Sequence, residues 1–123
     1  MLSEPINSYR DLKVWQDAMS LAESCYLLTK EFPREEMFGM TSQIRQAASS
    51  IPANIAEGHG RLTDPQLRNA LGMARGSLYE LQTQTELASS LGFVDADSTE
   101  HLLSVSTQVA KLINGLLGVL NMA

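Results

Sequence analysis

The chain has 123 residues, an ordinary apolar share and a formal net charge of −5, which suits one globular domain with a core of its own. Its nine basic side chains are scattered without a Lys/Arg block, unlike the clustered basic face of a dedicated nucleic-acid binder. The single cysteine, Cys25, leaves no internal disulfide and fits a reducing cytoplasm, the expected location.

The start shows no secretory pattern. The most apolar stretch, Leu112 to Leu120, is broken by Asn114, Gly115 and Gly118 and falls short of the roughly 20 residues of a spanning helix. No membrane is therefore expected.

Four amphipathic segments follow one another. In the first, about 11–31, Val14, Ala18, Leu21, Cys25, Leu28 and Phe32 step by four and three, the seam of a left-handed bundle. Trp15 and Ala22 widen that stripe. Asp11 reads as its N-cap and Pro33 as its stop. The second helix, about 41–59, carries Ile44, Ala48, Ile51 and Ile55, with Pro52 inside it predicting a bend and Gly58 and Gly60 ending it.

Thr63-Asp64-Pro65 opens the third helix, about 65–91, whose seam is Leu67, Leu71, Ala74, Leu78, Leu81, Thr85 and Ala88. Gly92 and Phe93 read as a Schellman end. Asp97, with Glu100 three residues on, starts the fourth helix, about 97–121. Its seam reads as Leu102, Val105, Val109, Leu112, Leu116 and Val119. Short connections and the lack of strand alternation predict an all-α fold, one antiparallel up-down-up-down four-helix bundle over residues 1–123.

The fourth helix is more apolar than one inward stripe requires. A second row, Ala110, Ile113, Leu117 and Leu120, runs beside the first. In a four-helix monomer no helix is central, so Ile113, Leu117 and Leu120 are the expected oligomer interface.

The chemistry-bearing residues are few. Neither histidine, His59 nor His101, has a glutamate three residues before it, so the Glu-x-x-His pairs of di-metal bundles are missing. No catalytic residue, metal or cofactor is expected. Gly58-His59-Gly60 reads as helix termination rather than a phosphate loop, because Asp64 places an anion at the next helix start.

Two polar patterns remain. Arg45, Arg61, Arg68 and Arg75 are the candidate nucleic-acid contacts. Gln43, Gln46, Ser50, Asn54 and Glu57 on the second helix, with Ser77, Glu80 and Gln84 on the third, form a polar stripe beside the seam. Such a stripe is either a solvated flank or a buried network; composition favours the flank.

Longer blocks carry a resemblance. Tyr9-Arg10-Asp11-Leu12-Lys13-Val14-Trp15 is followed by Thr41-Ser42-Gln43-Ile44-Arg45-Gln46-Ala47-Ala48. Ser50-Ile51-Pro52-Ala53-Asn54-Ile55-Ala56-Glu57-Gly58 and Arg61 come next, then Gly76-Ser77-Leu78-Tyr79-Glu80-Leu81-Gln82-Thr83-Gln84 and Leu91-Gly92-Phe93. In this order, from about residue 9 to 120, they resemble the four-helix bundle proteins encoded in 23S ribosomal RNA intervening sequences, the S23 ribosomal protein-like family.

That family is in turn similar to the accessory protein of diversity-generating retroelements, a ring of five that contacts nucleic acid and reverse transcriptase. The resemblance implies a non-enzymatic homo-oligomer, expected to be a pentamer. Its implied partners are itself and structured RNA or an RNA-handling protein. It also turns Gln43, Ser50, Asn54, Glu57, Ser77 and Glu80 from a solvated flank into a network or interface, with Ser42, Arg45, Arg61 and Thr83 among them.

The chain departs from the family pattern at Leu67 and Ala70, where relatives often carry aromatics. Arg45-Gln46 stands for a basic pair, and Gly58-His59-Gly60 for Gly-Phe-Gly. A protein–protein scaffold without a nucleic-acid role is therefore the alternative reading.

Overall fold

The computed structural model describes residues 8–122; the ends that the single-domain reading took in, 1–7 and 123, lie outside the described residues. Four helices fill it: α1 (Lys13–Thr29), α2 (Met40–His59), α3 (Asp64–Ser90) and α4 (Ala96–Met122). Short 3-10 turns stand at Tyr9–Asp11 and Arg34–Glu36. No strand occurs among the described residues. Each helix packs on its neighbours in chain order and α4 returns to α1, while the pairs α1–α3 and α2–α4 face each other across the diagonals. The result is the four-helix bundle expected from the periodicity.

The helix ends show which start and stop signals act. Ser8 Oγ accepts from Arg10 N–H at 3.2 Å, and Ser8 N–H donates to Asp11 Oδ2 at 3.2 Å. This capping box closes the 3-10 turn. Asp11 therefore belongs to that turn, and α1 begins two residues later.

The Schellman end of α3 is present. Gly92 adopts φ +80°, Phe93 N–H donates to Ala88 O at 2.9 Å and Gly92 N–H to Ser89 O at 3.0 Å. Phe93 then meets Phe32 with ring centroids 5.8 Å apart.

At α4 the cap lies two residues earlier than expected. Asp95 Oδ1 accepts from Ser98 N–H at 2.7 Å and Oδ2 from Ser98 Oγ at 3.1 Å. These bonds hold the Asp95 carboxyl below the usual carboxylate range.

The core draws on all four helices: Leu21 and Cys25, Ile44 and Ile51, Leu71 and Leu78, Val109 and Ile113 are fully enclosed. Burial pushes the Cys25 thiol up to about 12, so it packs as a small hydrophobe rather than reacting as a thiolate.

On α4 the expected inward row holds at Leu102 and Val109, but beyond Val109 the second row takes the interior. Ile113 is 0% exposed and Leu117 6%, inside the chain's own core, whereas Leu116 is 40% and Val119 68% exposed. Leu120 is partly buried against the same core. The expected interface at Ile113, Leu117 and Leu120 is thus corrected: two of the three residues are interior. The inward row also includes Ser106, whose hydroxyl accepts from Gln82 Nε2 at 2.9 Å and donates to Leu103 O at 2.8 Å. Leu116 is exposed on the flank, while Leu112 is partly buried against the core. By length and composition Ala96–Asn121 also meets the requirement for crossing a bilayer, a longer stretch than the run first weighed; here the helix is one wall of the bundle.

The closest approach lies between α2 and α3. Gly58, read from the sequence as part of a helix stop, sits inside α2 and is buried. A Cβ at Gly58 would stand 2.9 Å from Ala70 Cβ and 3.0 Å from Leu67 Cδ1. The glycine is there because another backbone is close, and α2 ends at His59 with Gly60 as its C-cap. Gly58→Ala should therefore destabilise the fold by about 1–3 kcal/mol through overpacking, although alanine is the better helix former. Urea unfolding of the two proteins checks this; equal or higher stability in the alanine variant would show that the helices separate freely.

Candidate functional site

The four candidate arginines do not assemble into one patch. Arg45 belongs to the seam between α1 and α2. Its Nε donates to Thr29 Oγ1 at 2.8 Å, its Nη2 to Tyr26 O at 3.3 Å, and its guanidinium carbon lies 4.9 Å from the Tyr26 ring centroid. The last turn of α1 carries no basic residue of its own, so Arg45 supplies the cation that a helix C-terminus favours. Arg61 stands sixteen positions further on, about 24 Å away at 1.5 Å per residue.

Arg61 pairs with Glu57 of its own turn, beside a groove edged by Pro65, Gln66, Asn69 and Met73 of α3. Arg75 lies on the opposite edge of α3, where Nη1 donates to Asn114 Oδ1 of α4 at 3.1 Å. Arg68 stands seven residues before Arg75 and so on the same helix edge; it has no hydrogen-bonding or ionic partner among the described residues. Only Arg68 and Arg75 of the four share a face.

Of the expected polar network, only Gln43 and Glu80 take part in a bridge between α2 and α3, both at exposed positions. Asn54 does not reach α3: its Nδ2 donates to Ser50 O at 2.8 Å, in the turn where Pro52 offers no backbone donor. Ser50 Oγ likewise turns back to Ala47 O at 2.8 Å, and Glu57 is taken by Arg61. The bridge between α2 and α3 is made one end over. Gln84 Nε2 donates to Gln43 Oε1 at 3.1 Å and to Glu80 Oε1 at 3.3 Å, leaving Gln84 Oε1 buried without a partner. Ser77 is half-buried beside it and Thr83 bonds only to Tyr79 O of its own helix. Ser42 is half-buried on the opposite helix.

One surface was not foreseen. Between α1 and α2 lies an apolar groove of about 800 Å³, walled by Trp15, Met19 and Tyr26 and floored by Ser49, Ala53 and Ala56. Its signal in the sequence was the widened stripe at Trp15 and Ala22, beside a row of small residues on α2 at spacings of four and three. His59 and His101 are exposed and lie in separate clefts. No group of three or more His, Cys, Asp or Glu side chains suited to a metal occurs among the described residues.

The model of the family described as 23S rRNA-intervening sequence protein matches residues 10–115. The chain belongs to that family. A crystal structure from Bacteroides thetaiotaomicron, described as a protein of unknown function from the S23 ribosomal protein family, is similar in fold. It has a TM-score of 0.77 and 22% sequence identity, over 85% of this chain and 97% of the other. No curated protein matches the sequence.

Arg45 should act as a structural clamp. Arg45→Ala removes hydrogen bonds from a charged donor and should cost about 1–2 kcal/mol, whereas Arg68→Ala should stay within about 0.5 kcal/mol, as surface changes do. Thermal unfolding of the two variants side by side tests the distinction. Equal losses would return Arg45 to the surface residues.

Proposed function

We propose that this family member is a non-enzymatic, cytoplasmic, self-associating helical scaffold whose partners are proteins. The observation that carries the reading is the large apolar surface left on a bundle whose own core is complete. Phe38 is 93% and Leu62 96% exposed in the connections. Leu116 and Val119 edge a small apolar cavity of about 160 Å³ at the end of the bundle. A contiguous exposed apolar strip such as Leu116 and Val119 marks contact with another macromolecule, whereas Phe38 and Leu62 stand singly beyond opposite ends of α2. Self-association through the α4 flank Leu112, Leu116 and Val119 covers that strip, and the resemblance described above makes a ring of five the expected assembly. A heterologous contact repeated around a closed ring needs no symmetry within the chain.

A second reading, RNA binding, rests on Arg68 and Arg75 sharing one edge of α3. Two phosphate contacts per chain are few, but a ring multiplies them. The distribution of the other arginines favours the protein scaffold, since Arg45 and Arg61 are engaged within the chain and fourteen acidic side chains oppose a polyanion.

Light scattering across micromolar concentrations should give a mass several times that of one chain. Leu116→Asp with Val119→Asp should reduce it toward one chain while the far-UV helical signal persists. Ile113→Asp should instead unfold the protein, because a buried unpaired carboxylate costs several kcal/mol. A wild-type mass of one chain would end the self-association reading.

Filter binding of structured ribosomal RNA at low salt decides the second reading. The expected result is no retention at micromolar protein. Retention that falls steeply with salt and is lost in Arg68→Ala with Arg75→Ala would make RNA the partner.

A further inference from the structure

The α1–α2 groove holds one cation, Lys30, and one anion, Glu23, in its lining, so its charge selects no partner. The cleft on the other side of α1 is different. Between the C-terminal end of α1 and the N-terminal end of α4 lies a hollow of about 550 Å³, with Leu27, Leu28 and Leu102 as its apolar floor. Leu27 is 64% exposed. From Ser24 to Glu31 the cleft follows α1 and the turn beyond it for about 10 Å, which is about two helical turns.

The charge of this cleft has one sign. Glu31 and Asp97 stand in the lining on its two walls, and no lysine or arginine does. Neither carboxylate has a hydrogen-bonding or ionic partner among the described residues. Lys30, next to Glu31 in the chain, lines the α1–α2 groove instead. The positive end of the α4 dipole is already met by Asp95, which accepts from Ser98 N–H.

The surroundings keep that sign. Residues 30–36 and 95–101, brought to one end of the bundle by the Phe32–Phe93 contact, carry six carboxylates against Lys30 and Arg34. His101 is the one basic group in the lining. These side chains do not form a group suited to a metal.

We infer that this cleft docks a basic amphipathic helix of about two turns, presented by a different protein. The inference rests on the reading of the bundle as a protein scaffold and adds the class of partner and its place. Two apolar side chains one turn apart cover Leu27, Leu28 and Leu102. Lysines or arginines beside them meet Glu31 and Asp97, a charge match that favours encounter and fixes register.

Two rivals fit less well. RNA or an anionic lipid surface would bring phosphates against two unpaired carboxylates. A second copy of this chain would have to offer an exposed apolar group beside a free cation. Its α4 flank, Leu116 and Val119, has no lysine or arginine after Lys111, and Leu87 on α3 follows Glu86. Its exposed Leu62 does follow an arginine, but Arg61 is taken by Glu57 and Asp64 stands two residues on.

The test uses the full-length protein at pH 8, above the range in which histidine side chains ordinarily carry charge. A side-chain-stapled helical peptide, labelled with fluorescein, carries two leucines one turn apart with lysines beside them. It is titrated in and followed by anisotropy. Two copies serve as controls, one with glutamate for every lysine and one with serine for both leucines.

The lysine–leucine peptide should bind and weaken as salt rises, while each control copy binds at least about tenfold more weakly. Glu31→Gln with Asp97→Asn should lose at least about tenfold in affinity, and so should Glu31→Lys alone, which leaves the start of α4 untouched. Glu23→Gln with Glu80→Gln removes the same charge elsewhere and should change the affinity less than about twofold, because distant exposed charges are screened. The far-UV helical signal should stay the same in all three variants.

Four results would overturn the inference: no binding at hundreds of micromolar peptide, equal binding of either control copy, equal losses in the two double variants, or an oligomer broken up by Glu31→Lys. The last would make the cleft a contact between copies. The first three leave the light-scattering mass at several chains, so they would remove the basic helix without removing the self-associating scaffold.

Discussion

The contact between Gly58 and Ala70 sets the rest of the bundle. A Cβ on α2 at that point would lie inside the contact distance of the Ala70 and Leu67 side chains of α3, so the α2 backbone packs directly on them. That approach fixes the rotation of α2. It turns Ile44, Ile51 and Ile55 into the core and holds Gln43 within reach of Gln84. The same rotation sends Ser49, Ala53 and Ala56 to the far side, under α1. Because those residues are small, α1 and α2 leave a groove instead of a closed seam. A cleft and a tight contact are thus two consequences of one helix setting, with side-chain volume placed on one edge of α2 and withheld from the other.

Charge is deployed inside the chain before any of it faces a ligand. Arg45 completes the C-terminal turn of α1, which has no cation of its own, and Arg61 holds Glu57. Arg75 ties α3 to α4 through Asn114, which also donates to the Tyr79 hydroxyl at 3.5 Å. These contacts give polar residues of the chain a structural role. Its polar groups close helix ends and hold neighbouring helices in register, a role in which a guanidinium suits better than an ammonium because its fork reaches two acceptors at once. Arg10 and Arg45 likewise stack on Tyr9 and Tyr26, two of the side chains that line the α1–α2 groove.

Much of this was legible in the sequence. The steps of four and three along α1, α2 and α3 identify the core residues, because a helix that buries one face must repeat its apolar residues at that period. Pro65 after Thr63 and Gly92 before Phe93 mark helix ends whose backbone geometry only those residue types favour. The family, too, is written in contiguous blocks, and the fold followed from it. These are local signals. Each depends on residues within a turn or two of one another, and no partner helix is needed to read them.

What the tertiary structure alone decided is rotation and partnership. α4 carries two apolar rows of similar strength, so its periodicity is satisfied by either setting. The tertiary structure places Ile113 and Leu117 inside, on the helix where Ser106 bonds to Gln82 of α3. The four arginines look like one group along the chain, yet helical projection sends them to different edges, and bonds from other helices claim Arg45 and Arg75. Asn54 had two acceptors in prospect, α3 or its own preceding turn, and the turn around Pro52 won because its carbonyl is always within reach. A sequence states which side chains a helix offers on each face. Which face is covered, and by what, depends on volumes and hydrogen bonds contributed by residues far away along the chain.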